Sequence, residues 1–272
     1  KTDSFEESEE ITSEESSSQK SALAYPQLIM GMVAIFLYVG VEVATAANLP
    51  EYLKSQLGYQ THEVAPFISL FWASLMIGRW TSSAAAFNVS DSKKMALRVL
   101  LPFVAFGIFL LVNILANKNV EPFFPYVIMI AIMIVLDFLS NGNPARQLLI
   151  YSSAGIVMLL LGMFVGGTLG LFAFISVGLF CSTLWPCIFT LSIKGLGKST
   201  GQGSNFLIMM IMGGGFISVA QGSLSENPNI GITQSFWVGV ICFAYLAFFA
   251  VSAARIFKRA GIPLEIDKSA AH

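Results

Sequence analysis

The chain has 272 residues, of which 55% are hydrophobic and only 11% are charged, and its formal net charge is −1. Soluble domains carry about 25% charged residues, so this composition is typical of a membrane protein, and the near-neutral charge argues against a nucleic-acid partner. The three cysteines lie in apolar runs, and neither histidine has a neighbouring Cys or His at metal-ligand spacing. Neither a disulfide framework nor a metal site is therefore predicted.

The first 20 residues, KTDSFEESEEITSEESSSQK, hold seven of the sixteen acidic residues and six serines. A segment so low in hydrophobicity cannot bury enough apolar surface to order itself, so residues 1–24 are predicted to form a disordered acidic linker. The sequence begins with Lys1 and shows no signal peptide, from which we expect that a further N-terminal portion precedes it in the intact protein.

Eight apolar runs follow the linker, each close to the length of about 20 residues that a membrane-spanning helix needs. The runs are 25–50, 64–88, 97–116, 122–140, 147–166, 168–193, 204–223 and 233–255. The break VGGTLG is also compatible with a kink, but one helix over 147–193 is too long for a single crossing. The sequence therefore predicts an all-α, polytopic membrane helix bundle over 25–256 and a tail at 257–272.

The placement of Lys and Arg predicts the orientation of this bundle. The loops on the side of the N-terminus hold Lys93, Lys94, Arg98, Arg146, Lys194 and Lys198, and the tail on that side holds Arg255, Lys258 and Arg259. The loops on the opposite side hold only Lys54 and Lys118. Because cytoplasmic loops are enriched in Lys and Arg, both termini are predicted to be cytoplasmic.

Three ionisable side chains fall inside the runs, where a charge costs at least about 2.5–3.5 kcal/mol on insertion scales. Asp137 lies near the cytoplasmic end of its run and is predicted to meet water or Arg146. Arg79 shares a helical face with Trp72, and a structural or gating role is as compatible with this position as ligand contact.

Glu42 is the third ionisable residue, and its short side chain cannot reach the membrane surface. It shares one stripe with Tyr38, Thr45 and Ala46 at helical spacing. This small, polar face is predicted to line a cavity, since an intramembrane carboxylate indicates a functional site. A structural hydrogen bond to a neighbouring helix is the alternative.

Neutral hydrogen-bonding groups at helix ends add to this inventory. They are Asn48, Gln202, Ser204, Asn205 and Gln221. Amides both donate and accept hydrogen bonds, which suits polyhydroxylated ligands. Trp185 precedes Pro186 at a predicted kink, and its indole face suits the CH face of a sugar. Each residue is also compatible with simple helix–helix contact. No Ser/His/Asp or paired-carboxylate group indicates an enzyme.

Several motifs together resemble the C-terminal half of the fucose–galactose–glucose:proton symporters of the major facilitator superfamily, especially the Bacteroidetes-type members. They are YVGVEVATAANLPEYL, FWASLMIGRWTSS, GLFCSTLWPCIFTLSIKGLGKSTGQGSNFLIMMIMGGGFISVAQG and QSFWVGVICFAYLAFFA. The resemblance covers 25–262 and implies six core helices, so the additional pair at about 97–140 is interpreted as an insertion. It also implies a bacterial inner membrane location and an N-terminal six-helix half that completes the substrate site near the midplane.

The resemblance implies proton-coupled transport of a monosaccharide by alternating access, driven by the proton gradient without a cofactor. Because Gln can replace the glutamate at this motif position in relatives, Glu42 is favoured as a sugar ligand, with proton coupling as its second role. The predicted sugar contacts are Glu42, Asn48, Trp185, Gln202 and Asn205, with Tyr38 and Trp72 as secondary candidates. Arg79 and Pro186 are predicted to have structural or gating roles. The alternatives are a carrier for another small solute, such as a drug or peptide, or a structural subunit that transports nothing.

Overall fold

The computed structural model describes residues 21–83 and 90–262. Of these residues 87% are helical and none lies in a strand, which confirms the predicted all-α class. Most of the predicted linker, 1–20, and most of the predicted tail, 263–272, lie outside the described residues. Those two assignments therefore stay predictions.

Eleven α-helices follow one another in the described part of the chain. They are α1 Pro26–Leu57, α2 Thr61–Ser83, α3 Asp91–Leu115, α4 Tyr126–Ser140, α5 Pro144–Val165, α6 Gly167–Cys181, α7 Leu184–Ile193, α8 Thr200–Met209, α9 Gly213–Glu226, α10 Gly231–Ser235 and α11 Trp237–Arg259. Short 3₁₀ segments lie at Ala22–Ala24, Glu121–Phe123, Gly197–Ser199 and Met210–Met212.

Seven helical segments of the described chain are long and apolar enough to cross a membrane. They are Pro26–Leu57, Ser92–Leu115, Glu121–Ser140, Pro144–Val165, Gly167–Ile193, Gly197–Glu226 and Gly231–Arg259. The predicted run 64–88 corresponds to α2, which is helical over 23 residues but is not one of the seven. Its polar ends and Arg79 lower its mean hydropathy, so the eighth crossing stays a prediction.

Local signals explain where the helices begin and end. The α1 helix begins at Pro26, in the first turn, where a backbone N–H would have no partner within the helix. The helix ends at Gly58, whose left-handed φ of 72° is open to glycine at low cost. The side chain of Asn143 caps α5 by accepting from the backbone N–H groups of Ala145 and Arg146, both at 3.0 Å.

The span Gly167–Ile193, formed by α6 and α7, lies at the centre of the bundle. In an apolar stretch of 18 residues within this span, 89% of the residues are buried. In the corresponding stretch of Gly197–Glu226, at the edge of the bundle, 22% are buried. The α1 helix packs against α7 on one side and against α9 on another. At Gly213 an added Cβ would meet the backbone carbonyl of Phe36, so glycine is what permits α9 to approach α1 this closely.

The helices α3 and α4, which the resemblance leads us to interpret as an inserted pair, contact the rest of the bundle. The α3 helix packs along α2, while α4 packs against α5 and α6. The hydroxyl groups of Tyr126 in α4 and Ser74 in α2 are hydrogen-bonded at 2.7 Å, and the Tyr126 side chain is fully buried. Thus α4 is hydrogen-bonded and packed into the interior, whereas most of α3 is exposed on the outside of the bundle.

Candidate substrate site at the break in the central span

The central span is broken between α6 and α7, at Ser182 and Thr183. Pro186 contributes to the break, because it has no N–H to donate to the carbonyl group of Ser182 four residues earlier. Arg79 of α2 supplies the missing donor, and its Nε donates to the Ser182 carbonyl oxygen at 3.3 Å. The two residues predicted to have structural roles, Arg79 and Pro186, therefore act on the same carbonyl group.

Gly78 lets α2 come close enough for this contact. A Cβ at Gly78 would meet the side chain of Ser182, so a larger residue would push α2 away from the break. The hydroxyl group of Ser182 donates to the Leu179 carbonyl oxygen at 2.6 Å. Gly78 thus allows α2 to approach Ser182 closely, and Arg79 beside it supplies the hydrogen-bond donor to the Ser182 carbonyl oxygen. Gly78 and Ser182 were not predicted as site residues, although Gly78 lies within the motif MIGRW.

Glu42 lies opposite this break, on α1. The Tyr38 hydroxyl donates to Glu42 Oε2 at 2.5 Å, and the Tyr38 ring lies 6.3 Å from the Trp185 ring, centroid to centroid. Arg79 lies close enough to Glu42 to interact with it electrostatically. Four of the predicted residues, Tyr38, Glu42, Trp185 and Arg79, are therefore grouped around the break.

The predicted residues differ in how open they are to the outside of this chain. Trp72 is 46% exposed, and Arg79, Pro186 and Asn205 are also exposed. Glu42 and Trp185 are half-buried. The exposed or half-buried residues thus include a carboxylate, a guanidinium group, an amide and two indoles. Together they offer hydrogen-bond donors, hydrogen-bond acceptors and flat apolar faces.

The stripe on α1 that was predicted to line a cavity is closed within this chain, except at Glu42. Tyr38, Thr45 and Ala46 are buried among helices of this chain, at 2%, 0% and 7% exposure, and only Glu42 is partly open. The hydroxyl oxygen of Thr45 is buried without a hydrogen-bond partner in the described structure. A stripe of small and polar residues is compatible with close packing as well as with a cavity. In this chain the stripe is closely packed against neighbouring helices.

Two predicted sugar contacts are engaged elsewhere within the chain. The buried Asn48 side chain donates to the Ala44 carbonyl oxygen at 2.9 Å, within its own helix. Gln202 Oε1 accepts from the backbone N–H of Ala22 at 3.0 Å. Ala22 precedes the start of α1 at Pro26, and Glu42 lies 16 residues further on, which is about 24 Å along a helix. The structure therefore does not bring Gln202 to Glu42.

Asp137 is paired differently from the prediction. Its partner is Arg98 of α3, whose Nε donates to Asp137 Oδ2 at 3.0 Å, and the Arg98 guanidinium lies 4.9 Å from the centre of the Phe138 ring. The Asp137 side chain is only 3% exposed. Arg146, which was predicted as a possible partner of Asp137, is exposed and lines a separate cleft. The pairing could not be seen in the sequence because 39 residues separate the partners.

A chain of hydrogen bonds connects Asp137 to the helix break. Gln147 Nε2 of α5 donates to Asp137 Oδ1 at 3.3 Å and to Thr183 Oγ1 at 3.2 Å. The Cys187 thiol contacts Gln147 Oε1 at 3.6 Å. Buried charges are tolerated only when they are paired and hydrogen-bonded, so this network satisfies Asp137 and also joins the inserted pair to the start of α7.

The edge span Gly197–Glu226 is also discontinuous. The α8 and α9 helices are separated by the 3₁₀ segment Met210–Met212, followed by the glycines that begin α9. Large apolar side chains around this break are exposed, among them Met209 at 62% and Phe216 at 64%. Asn205 lies one turn before the break and is exposed as well. Discontinuous helices of this kind frequently form binding sites in transporters.

No family model matches the chain. A glucose/galactose transporter of Brucella abortus is 27% identical over 237 residues, covering 86% of this chain and 44% of that protein. The L-fucose-proton symporter of Escherichia coli is 34% identical over 112 residues, covering 41% of this chain and 25% of that protein. The predicted resemblance is confirmed.

A crystal structure of the E. coli fucose:proton symporter matches with a TM-score of 0.59 at 22% identity, covering 85% of this chain and 43% of that one. The chain therefore has the fold of about half of that symporter. It spans about half the length of the curated relatives it matches. Both named relatives are transporters, in agreement with the prediction that this chain is not an enzyme.

Proposed function

We propose that this chain is the C-terminal half of a proton-coupled monosaccharide symporter that works by alternating access. The observation that carries the proposal is the group of Tyr38, Glu42 and Trp185 at the break of the central span. The names of the relatives support the substrate class, since they are a glucose/galactose transporter and a fucose–proton symporter. A six-helix N-terminal half would complete the site in the bilayer, near the midplane.

Glu42 is proposed as a sugar ligand. Tyr38 occupies Oε2 and orients the carboxylate, which leaves Oε1 to accept a hydrogen bond from a sugar hydroxyl. Hydrogen bonds to an ionised acceptor are roughly twice as strong as neutral ones. Because Glu42 is half-buried, this bond would form where water competes less than at a surface.

Trp185 and Asn205 would complete the contacts on this half. The half-buried indole of Trp185 lies next to Tyr38 and offers an apolar face to the CH groups of a hexose ring. Asn205, exposed on the edge span, offers both a donor and an acceptor. Trp72 and Arg79 lie on the exposed face of α2, where the proposed second half would close during the transport cycle.

Replacing Glu42 by Gln tests this role in the complete protein that carries the chain. Hexose counterflow and proton-driven accumulation are measured in the same proteoliposomes for glucose, galactose and fucose. For a sugar ligand, both activities decrease by the same factor, with the KM increasing about tenfold because a charged hydrogen bond becomes a neutral one. The Glu42→Leu variant, which offers no acceptor, is expected to lose both activities.

The matched control is Glu51→Gln, which removes an exposed carboxylate from the same helix. Its counterflow and accumulation are expected to equal those of the wild type. If Glu42→Gln retains counterflow and loses only accumulation, Glu42 carries the proton and the ligand assignment is wrong. A wild-type protein that responds to no hexose would remove the proposed function itself.

A further inference from the structure

A cleft of about 340 Å³ lies between α5 and α11, and none of its lining residues belongs to the helix break. It is formed by the first two turns of α5 and the last turns of α11. Its walls carry three cationic side chains, Arg146, Arg255 and Lys258, and all three are exposed. The proposed transport function uses none of them.

These three cations lack anionic partners in the described part of the chain, where Arg98–Asp137 is the salt bridge that forms. The backbone N–H groups at the start of α5 are already satisfied by the Asn143 side chain. The cationic side chains, and not the end of a helix, therefore provide the attraction in this cleft. Three like charges around one cleft repel one another, which an anion between them would relieve.

The remainder of the cleft is apolar. Leu149, Ala250 and Ala254 line it on the side that leads toward the middle of the two helices. The cations thus lie toward the ends of α5 and α11, and the apolar groove continues along helices that are long enough to cross a membrane. A ligand that fits both parts has an anionic head and a hydrocarbon chain.

We propose that this cleft binds an anionic phospholipid, with its headgroup phosphate between Arg146, Arg255 and Lys258 and an acyl chain along Leu149 and Ala254. Basic pockets between transmembrane helices recognise such headgroups. The ends of α5 and α11 that form the cleft are on the side predicted to be cytoplasmic, so the lipid would come from the inner leaflet. The small side chains of Ala250 and Ala254 leave room for the acyl chain of the lipid.

Native mass spectrometry of the complete protein in detergent tests this binding. Phosphatidylglycerol and zwitterionic phosphatidylcholine are titrated separately, and the retained lipids are counted. Three proteins are compared: the wild type, the cleft variant Arg146→Gln/Arg255→Gln/Lys258→Gln, and the control variant Lys93→Gln/Lys94→Gln/Lys198→Gln. The control removes the same charge from the same predicted side, outside the cleft.

The wild type and the control are expected to bind phosphatidylglycerol about 100-fold more tightly than the cleft variant, which is the effect expected of three cations near an anionic headgroup. Phosphatidylcholine should bind all three equally weakly, and excess inorganic phosphate should not displace phosphatidylglycerol. The charge-preserving variant Ala254→Phe, which fills the groove, is expected to weaken phosphatidylglycerol binding as well, independently of any folding defect in the triple variant.

Equal binding by the cleft variant and the wild type would overturn the proposal. An equal loss in the control would also overturn it, since the attraction would then come from diffuse surface charge. Displacement by inorganic phosphate would indicate a site for a soluble anion instead. Lipid retention is measured without transport, so this proposal and the proposed function can fail separately.

Discussion

Two spans of this bundle are broken near their middles, and they differ in what surrounds the break. The break between α6 and α7 lies in a span that is 89% buried, and α2, α5 and the inserted pair hold it through Arg79 and Gln147. The break between α8 and α9 lies in a span that is 22% buried, which packs mainly against α1. A helix break can thus be fixed by side-chain hydrogen bonds or left with one face open.

The difference bears on the proposed mechanism. Alternating access needs some elements to hold their shape while others shift against a partner. The buried break has donors assigned to its free carbonyl and hydroxyl groups, so we expect it to keep its geometry through the cycle. The edge break relies on the close contact of Gly213 with Phe36, so we expect it to be the more readily changed of the two.

Asp137→Ala should have the largest effect, because it removes the partner of Arg98 and one end of the network that holds the buried break. Breaking a buried ion pair on one side costs about 3 kcal/mol or more. Chemical unfolding in mixed micelles would measure this loss. The double variant Arg98→Met/Asp137→Leu is expected to recover most of the stability, and a double variant as unstable as Asp137→Ala would contradict the pairing argument.

Gly213→Ala should have an intermediate effect, confined to the edge span. The added Cβ would meet the Phe36 carbonyl group, so α9 must move away from α1, at a cost of about 1–3 kcal/mol in the free energy of unfolding. Gly215→Ala is the matched control, since a Cβ there meets nothing within 4 Å. Equal unfolding midpoints for the two variants would show that the close approach does not stabilise α9.

Pro186→Ala should have the smallest effect on stability, below about 1 kcal/mol, because it adds one backbone hydrogen bond while it frees Arg79. The new N–H would donate to the Ser182 carbonyl oxygen and make the span continuous. Transport turnover is expected to fall while the folded state persists. Pro66→Ala, in the second turn of α2, is the control and should transport normally. An unchanged turnover in Pro186→Ala would show that transport does not depend on the helix break.

Much of the architecture could be predicted from the sequence because it follows from local physics. Apolar runs of membrane-spanning length require helices, since a backbone in lipid must satisfy its own hydrogen bonds. Turn residues such as Asn143 act on their neighbours, so α5 begins within three residues of the predicted start, whereas α1 extends to Leu57, seven residues beyond its predicted end. The motif around Trp185 and Pro186 predicts a kink, and the structure has a break in the helix at Ser182 and Thr183.

The site was predicted only in part. Glu42 was recognised because an intramembrane carboxylate is costly wherever it lies, and that cost does not depend on the neighbours. Its relation to Arg79 and Trp185 depends on how α1, α2 and α7 pack. The burial of Tyr38 and Thr45 depends on the same packing, which is why the sequence did not show that their stripe is closed within the chain.

The sequence by itself determined that the chain is a helical membrane bundle, roughly where its apolar spans lie, and which relatives it resembles. These properties depend on hydrophobicity, on turn chemistry and on short motifs, all of which act over a few residues. Only the tertiary structure decided that Arg98 pairs with Asp137 and that Arg79 completes the bonds at Ser182, across 39 and 103 residues of chain. Such pairs depend on which helices become neighbours, and that choice is made by packing over the whole bundle.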